Sequence, residues 1–325
     1  MDSLTQAALG AAIGQATLGR KLGKTGAIAG ALIATIPDLD VILYAFYNSV
    51  DMLRIHRGHS HSIVFAVLGA LALTVVIKQV KWFRTVSYMQ LYWFTFLCLV
   101  THILLDYCTA YGTQLLLPFS DARLGLDTVN VVDPVYTLPL LIGTLAGLLI
   151  SKLKPYAFRL NALGLLLSTV YLLFTLTVKF SINDRFTEDL EKTGSDYLDI
   201  LTMPVGSASI NWYGVATTDS LVYMKKYNAY SGSSEPMVVL VRNESMLLGY
   251  DTEWVETMKW FSKGFYTVQE RGDTLLFFNL QVDMRGIVQT PEFNAPTQGY
   301  FWSASNKDGT YSHGSGSLSL KNHSN

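Results

Sequence analysis

Glutamate is missing from the first 179 residues, which hold eight aspartates and 13 lysines and arginines. Any carboxylate that does chemistry in this half must therefore be an aspartate. Charge of either sign is scarce over the whole chain, at 15%, where soluble domains carry about a quarter. Cysteine is nearly absent too, with two in 325 residues, which excludes a disulfide-rich secreted module. A net charge of -1 excludes a strongly basic nucleic-acid binder, so no nucleic-acid partner is expected. Half of the residues are hydrophobic, which excludes a disordered chain.

What the chain has in place of charge is long apolar runs. A membrane-spanning helix needs about 20 mostly apolar residues. Candidate spans fall at residues 4–19, 25–47, 62–77, 89–107, 132–151 and 160–178. No basic segment precedes the first, so it is not expected to be a cleaved signal peptide. Gly10 and Gly14, and likewise Gly26 and Gly30, form GxxxG pairs, a spacing that lets two helix backbones approach closely. The first two spans are therefore expected to pack together. Cys98 and Cys108 are ten residues apart on a predicted helix, which places them on different faces and argues against a mutual disulfide.

The loops predict an orientation. Arg20, Lys21 and Lys24, then Lys78, Lys81 and Arg84, then Lys152, Lys154 and Arg159 occupy alternate loops that hold no acid. The intervening loops carry Arg54, Arg57 and Arg123. The positive-inside rule puts the first set in the cytoplasm. The eight aspartates and the histidines at 56, 59, 61 and 102 then fall on or near the outer side, together with everything after Lys179. The same arithmetic suggests three parts: a helical membrane domain at 1–179, an outer domain at 180–305 and a flexible tail at 306–325.

Beyond residue 180 the pattern changes. Residues 238–242, 265–269 and 274–282 are short runs of β-formers bounded by turn residues. Residues 251–262 read as a helix capped by Asp251 or Thr252, and residues 195–230 as further strands. The fold class expected is an α-helical polytopic membrane bundle of about six spans with a C-terminal extracytoplasmic α+β or β-rich domain. The last residues, rich in Gly, Ser and Asn, read as a loose tail in which His313 and His323 are incidental.

Three clusters carry the candidate chemistry. His102 and Asp106 lie four apart on a predicted helix and project from one face. An imidazole and a carboxylate so placed can share a metal ion or hydrogen-bond to one another. Taken alone, such a pair is more often a buried polar contact in a bundle. Pro37-Asp38-Leu39-Asp40 puts two acids inside an apolar segment. Acids there line a cavity or find a partner, and Pro37 is expected to break the helix. A blander role for Asp38 is to cap the helix that follows. His56-Arg57-Gly58-His59-Ser60-His61-Ser62 gathers three of the six histidines; their spacing suits a loop that wraps an ion.

Together these motifs resemble the YdjM-like family of inner-membrane proteins described as metal-dependent hydrolases. The resemblance rests on Met1-Asp2-Ser3-Leu4-Thr5, Pro37-Asp38-Leu39-Asp40, His56-Arg57-Gly58-x-Ser60-His61-Ser62 and Thr101-His102-x-x-x-Asp106 leading into Tyr111-Gly112-Thr113-Gln114. Trp260-Phe261-Ser262-x-Gly264-Phe265-Tyr266 and Asp283-x-Arg285-Gly286 resemble the family's outer domain. One departure is Gln6, where many members carry histidine after the threonine; glutamine is the poorer zinc ligand. His59 falls at a variable position of its motif, so His56 and His61 are preferred as ligands.

The expected function is a membrane-bound metal-dependent hydrolase of the bacterial inner membrane, its C-terminal domain periplasmic. One or two divalent ions, zinc first, would be held by Asp38, Asp40, His56, His61, His102 and Asp106. Asp2 is a candidate proton acceptor, and Arg57 a candidate for holding a phosphate or stabilising anionic charge. Beside the lipid bilayer, the partner expected is a lipid-like or phosphorylated amphiphile. The rivals are an ion-binding or transport protein and a non-catalytic scaffold clamped by metal.

Overall fold

Residues 1–149, 154–281, 298–307 and 310–319 are described by a computed structural model of the chain. Two compact units emerge: residues 1–45, 55–177 and 206–208 form the first, and 46–54, 178–205 and 209–325 the second.

The first unit is helical. Helix α1 (Ser3–Leu22) starts where the Asp2 side chain accepts from the backbone N–H of Thr5, 3.0 Å away, which satisfies one of the free donors of a helix start. It ends at Gly23, whose φ of 57° lies in the left-handed region that glycine tolerates. Helix α2 (Lys24–Ala34) then returns against α1. The GxxxG pairing is present: a Cβ at Gly14 would lie 2.0 Å from the carbonyl oxygen of Gly26, and one at Gly10 would lie 2.2 Å from that of Gly30. Only glycine permits backbones this close.

Pro37 stops α2 as expected. The chain bends by 49° into a 3-10 segment, Pro37–Ala45. Helix α3 (Ser49–Ile55) and a short 3-10 turn, His59–His61, lead to α4 (Ile63–Gln79), capped by Ser62. Helix α5 (Tyr88–Tyr107) buries Leu91, Phe94, Cys98 and Leu99 completely at the centre of the unit. Cys98 and Cys108 are both free thiols. Helix α6 is Pro134–Leu149 and α7 is Lys154–Glu191. Buried polar contacts tie α7 to its neighbours: Asn161 Nδ2 donates to the Ala12 carbonyl of α1 at 2.9 Å, and Ser168 Oγ to the Tyr136 carbonyl of α6 at 2.7 Å.

Among the described residues, fewer helices are long and apolar enough to span a membrane than the six runs suggested. Tyr88–Tyr107 and Tyr156–Glu191 are long and apolar enough to cross a membrane, and the count rises to four if each of two bent helix pairs is one span. The other two runs differ for identifiable reasons. Helix α1 carries Gln6, Gln15 and Thr17 among small residues, and the described part of α6 covers 16 residues.

The second unit holds two antiparallel four-stranded sheets. Strands β1 (Asp199–Val205), β2 (Asn211–Thr217), β3 (Leu221–Asn228) and β4 (Val238–Val241) form a meander. Residues 182–190 of α7 pack on it: Ile182, Phe186 and Leu190 cluster with Trp212 and Tyr227. Helix α8 (Thr252–Phe261) is capped by Asp251 and buries Trp254, Met258 and Phe261. Strands β5 (Tyr266–Arg271), β6 (Thr274–Asn279), β7 (Gln298–Lys307) and β8 (Thr310–Ser319) complete the second sheet.

Within the expected loose tail at 306–325, strand β8 corrects the expectation over Thr310–Ser319. Its glycines and serines favour strand weakly, but it pairs with β7 from Gln298↔Ser319 to Lys307↔Thr310, and that ladder supplies the order the composition lacks. His313 lies in β8, opposite Ala304. The motif at 283–286, Lys152 and His323 lie outside the described residues.

Candidate metal centre

Four of the six expected ligands converge. One ligand atom from each of Asp38, His61, His102 and Asp106 lies within 4.8 Å of all the others. Three local devices bring them there. Pro37 ends α2 and places Asp38 in the 3-10 segment; the 3-10 turn before α4 presents His61; the four-residue spacing on α5 presents His102 and Asp106 together. His61, His102 and Asp106 are fully buried, and Asp38 is half-buried.

The hydrogen bonds around the two imidazoles dictate which nitrogen carries the proton. His102 Nδ1 lies 2.5 Å from the carbonyl oxygen of Ala34. A carbonyl only accepts, so Nδ1 is the protonated nitrogen and Nε2 of the neutral ring holds a lone pair. Ser60 Oγ donates to Asp40 Oδ2 at 3.1 Å and contacts His61 Nδ1 at 2.9 Å. With its proton committed to Asp40, the hydroxyl accepts from Nδ1–H, which leaves the lone pair of a neutral His61 ring on Nε2.

These two nitrogens then face each other at 3.2 Å. Asp38 Oδ1 is 3.5 Å from each. Asp106 Oδ2 is 3.4 Å from His61 Nε2 and 3.9 Å from His102 Nε2, and it accepts no hydrogen bond of acceptable geometry. Four such groups aimed at one buried spot need a shared proton or a metal cation between them to offset their mutual repulsion. Donor atoms around a tetrahedral zinc stand about 3.3 Å apart, close to the separations here. The donor set, two imidazole nitrogens and two carboxylate oxygens, suits zinc and similar divalent ions.

Asp40 and His56 do not join the four. His56 Nδ1 bonds Asp40 Oδ1 at 2.9 Å, and the other Asp40 oxygen accepts from the backbone N–H of Arg57 at 3.0 Å and from Ser60. Asp40 therefore orients His61 through Ser60, the arrangement typical behind a metal-bound imidazole. In a 3-10 segment, with about three residues per turn, positions 38 and 40 point to different sides. This is why two neighbouring acids have different partners. His59 is exposed.

Asp2 and Arg57 also differ from expectation. Asp2 is occupied as the cap of α1: one oxygen takes the Thr5 N–H and the other the Thr5 hydroxyl, at 2.5 Å. Arg57 is buried beside Asp106, with Nε 3.0 Å from Oδ2, and donates to Thr109 Oγ1 at 2.9 Å. Its guanidinium lies 4.8 Å from the centre of the Tyr111 ring. Its φ of 56° is a conformation that non-glycine residues seldom adopt. Arg57 is thus built into the centre as the cationic neighbour of Asp106. The other Asp106 oxygen accepts from Gln6 Nε2 at 3.0 Å and from the Met1 amino group. Gln6 therefore supports a ligand from the position where the resembling proteins carry histidine. The roles of Ser60 and Ala34 escape sequence reasoning, although Ser60 stands inside a motif that signals the site.

A family model described as YdjM inner membrane protein matches residues 1–182, the stretch that holds every one of these groups. The chain belongs to the YdjM inner membrane protein family. Two curated relatives show how far the similarity reaches. The uncharacterized protein YfhP of Bacillus subtilis (strain 168) is 33% identical over 141 residues, 41% of this chain and 42% of YfhP. The inner membrane protein YbcI of Escherichia coli (strain K12) is 37% identical over 97 residues, 29% of this chain and 54% of YbcI. The chain thus spans about half the length of the curated relatives it matches. No solved structure matches it. The YdjM match ends just past the first unit's last helical residue, Thr177.

Proposed function

We propose that this protein is a membrane-bound, metal-dependent hydrolase with one zinc-type ion held by His61, His102 and Asp106. The observation that carries the reading is the convergence of His61 Nε2 and His102 Nε2, 3.2 Å apart, with two carboxylate oxygens on the same spot. A zinc ion bound there would supply hydroxide near neutral pH. Four protein ligands would close a tetrahedral zinc, as in structural sites, whereas catalytic sites keep one position open. The hydrolytic reading therefore assigns Asp38, the most exposed of the four, to accept the proton of the attacking water at Oδ1. Arg57 holds Asp106 in place.

The six apolar runs support six spans, and the charge pattern of the loops supports cytoplasmic basic loops and a periplasmic C-terminal domain. A centre near the outer end of those spans suits an amphiphilic substrate, with a phosphoester or another ester or amide to be cleaved. The competing reading is a scaffold in which a fully coordinated ion clamps the 3-10 segment, the turn before α4 and α5 together.

Asp38→Asn separates the two. The full-length protein, purified in detergent, is assayed for bound metal and for turnover on phosphodiester, phospholipid, ester and amide substrates. A hydrolase keeps its metal in Asp38→Asn and loses turnover. A scaffold loses metal in this variant and turns over nothing in the wild type.

A further inference from the structure

Asp38 and His61 stand on the two limbs of one excursion of the chain. The chain leaves the first unit after Ala45 and returns to it at Ile55, and residues 46–54 between them belong to the second unit. Asp40 closes the base of this excursion: Oδ1 bonds His56 Nδ1 at 2.9 Å, and Oδ2 accepts from the backbone N–H of Arg57 at 3.0 Å. The return limb passes through Arg57 at a φ of 56°, a conformation that a residue with a side chain keeps only where its surroundings impose it. Whatever fixes the far end of the excursion therefore bears on both ligands.

The far end is α3. Asn48 Oδ1 accepts from the backbone N–H groups of Val50 and Asp51, both at 2.9 Å, and Met52 is completely buried. Arg54 then ties α3 to α8, within the second unit. Its Nε donates to Thr257 Oγ1 at 3.1 Å, and its guanidinium lies 5.0 Å from the centre of the Trp260 ring. Trp254, Met258 and Phe261 are the buried core residues of α8, whereas Trp260 is half-buried and meets Arg54. The Trp260-Phe261-Ser262 motif thus has one residue for the core and one for the strap. Arg54 is itself exposed, so its replacement costs the fold little.

We propose, on the metal-binding reading of the centre and independently of the hydrolytic one, that Arg54 and Trp260 are positioning residues for the metal centre: they anchor α3 to α8 and so hold Asp38 and His61 in place. The second unit orders these two ligands before an ion arrives, and binding does not have to offset the cost of ordering them. The full-length protein in detergent is loaded with zinc, and release to an excess of chelator is timed; the visible absorption of the cobalt(II) form reports ligand geometry. Arg54→Ala and Trp260→Leu each speed release about tenfold and alter the cobalt spectrum, and Trp260→Phe, which keeps a ring under the guanidinium, restores both. Phe186→Ala loosens the same unit away from α3 and leaves release and spectrum as in the wild type. A wild type that binds zinc, with unchanged release in Arg54→Ala and Trp260→Leu, overturns this inference alone. Equally fast release in Phe186→Ala assigns the effect to general loosening and overturns it as well. A wild type that takes up neither metal overturns the metal-binding reading and this inference with it.

Discussion

Replacing Ser60 by alanine removes the hydroxyl through which Asp40 sets the proton on His61. In the wild type, Ser60 Oγ lies 3.1 Å from Asp40 Oδ2 and 2.9 Å from His61 Nδ1. Without it, the nearest Asp40 oxygen is 3.6 Å from Nδ1, beyond a good hydrogen bond. The buried Nδ1–H then has no close acceptor, which costs about 1–3 kcal/mol, or the proton moves to Nε2 and removes the lone pair that binds metal. Either route weakens the metal complex. Loss of such an outer partner lowers metal affinity by about 10–100-fold, equivalent to about 1.4–2.7 kcal/mol. The two ranges overlap, as they should if the imidazole's proton is the cause. The assay is competition for zinc against a chromophoric chelator, with the purified protein in detergent. Ser60→Ala should bind about 10–100-fold more weakly while Ser60→Thr, which keeps the hydroxyl, binds nearly as wild type. Wild-type affinity in Ser60→Ala would refute the reasoning.

The other expectations concern ligand identity and packing. His61→Ala should abolish tight zinc binding while His56→Ala only weakens it, read by the same titration; equal losses would mean that the six expected ligands act as one set after all. Gly14→Ala drives a Cβ to 2.0 Å from the Gly26 carbonyl and should destabilise the α1–α2 pair by about 1–3 kcal/mol. Gly69→Ala, whose nearest neighbour would be 3.5 Å away, serves as the tolerated control in the same thermal-melting series. Phe186→Ala empties a fully buried site against β2 and should cost about 3–5 kcal/mol, seen as a lower melting midpoint of the second unit.

Residue type and spacing carry most of the metal centre. His102 and Asp106 reveal their common face through a four-residue interval, and Asp38 reveals itself as an acid beside a helix-breaking proline. What the spacing does not carry is direction in three dimensions. Asp40 is two residues from Asp38, and only the tighter 3-10 winding sends it to His56 and Ser60 instead of to the ligands. Arg57 reads as a free cation for a phosphate, because its partner Asp106 is 49 positions away and comes close only through the fold. Its positive φ is equally illegible, since the glycine beside it, Gly58, is the residue a turn would be expected to exploit. In the second unit, Asp251 and the apolar face of α8 announce that helix. Strand β8 stays hidden because its Gly-Ser composition disfavours a strand and its order comes from pairing with β7.

Elemental analysis of the purified wild-type protein tests the central claim most directly. The convergence of two imidazole lone pairs and two carboxylates predicts close to one zinc-type ion per chain, retained in His59→Ala, whose imidazole is exposed, and lost in His102→Ala. A folded wild-type preparation that holds no divalent metal, even after equilibration with zinc, would contradict it.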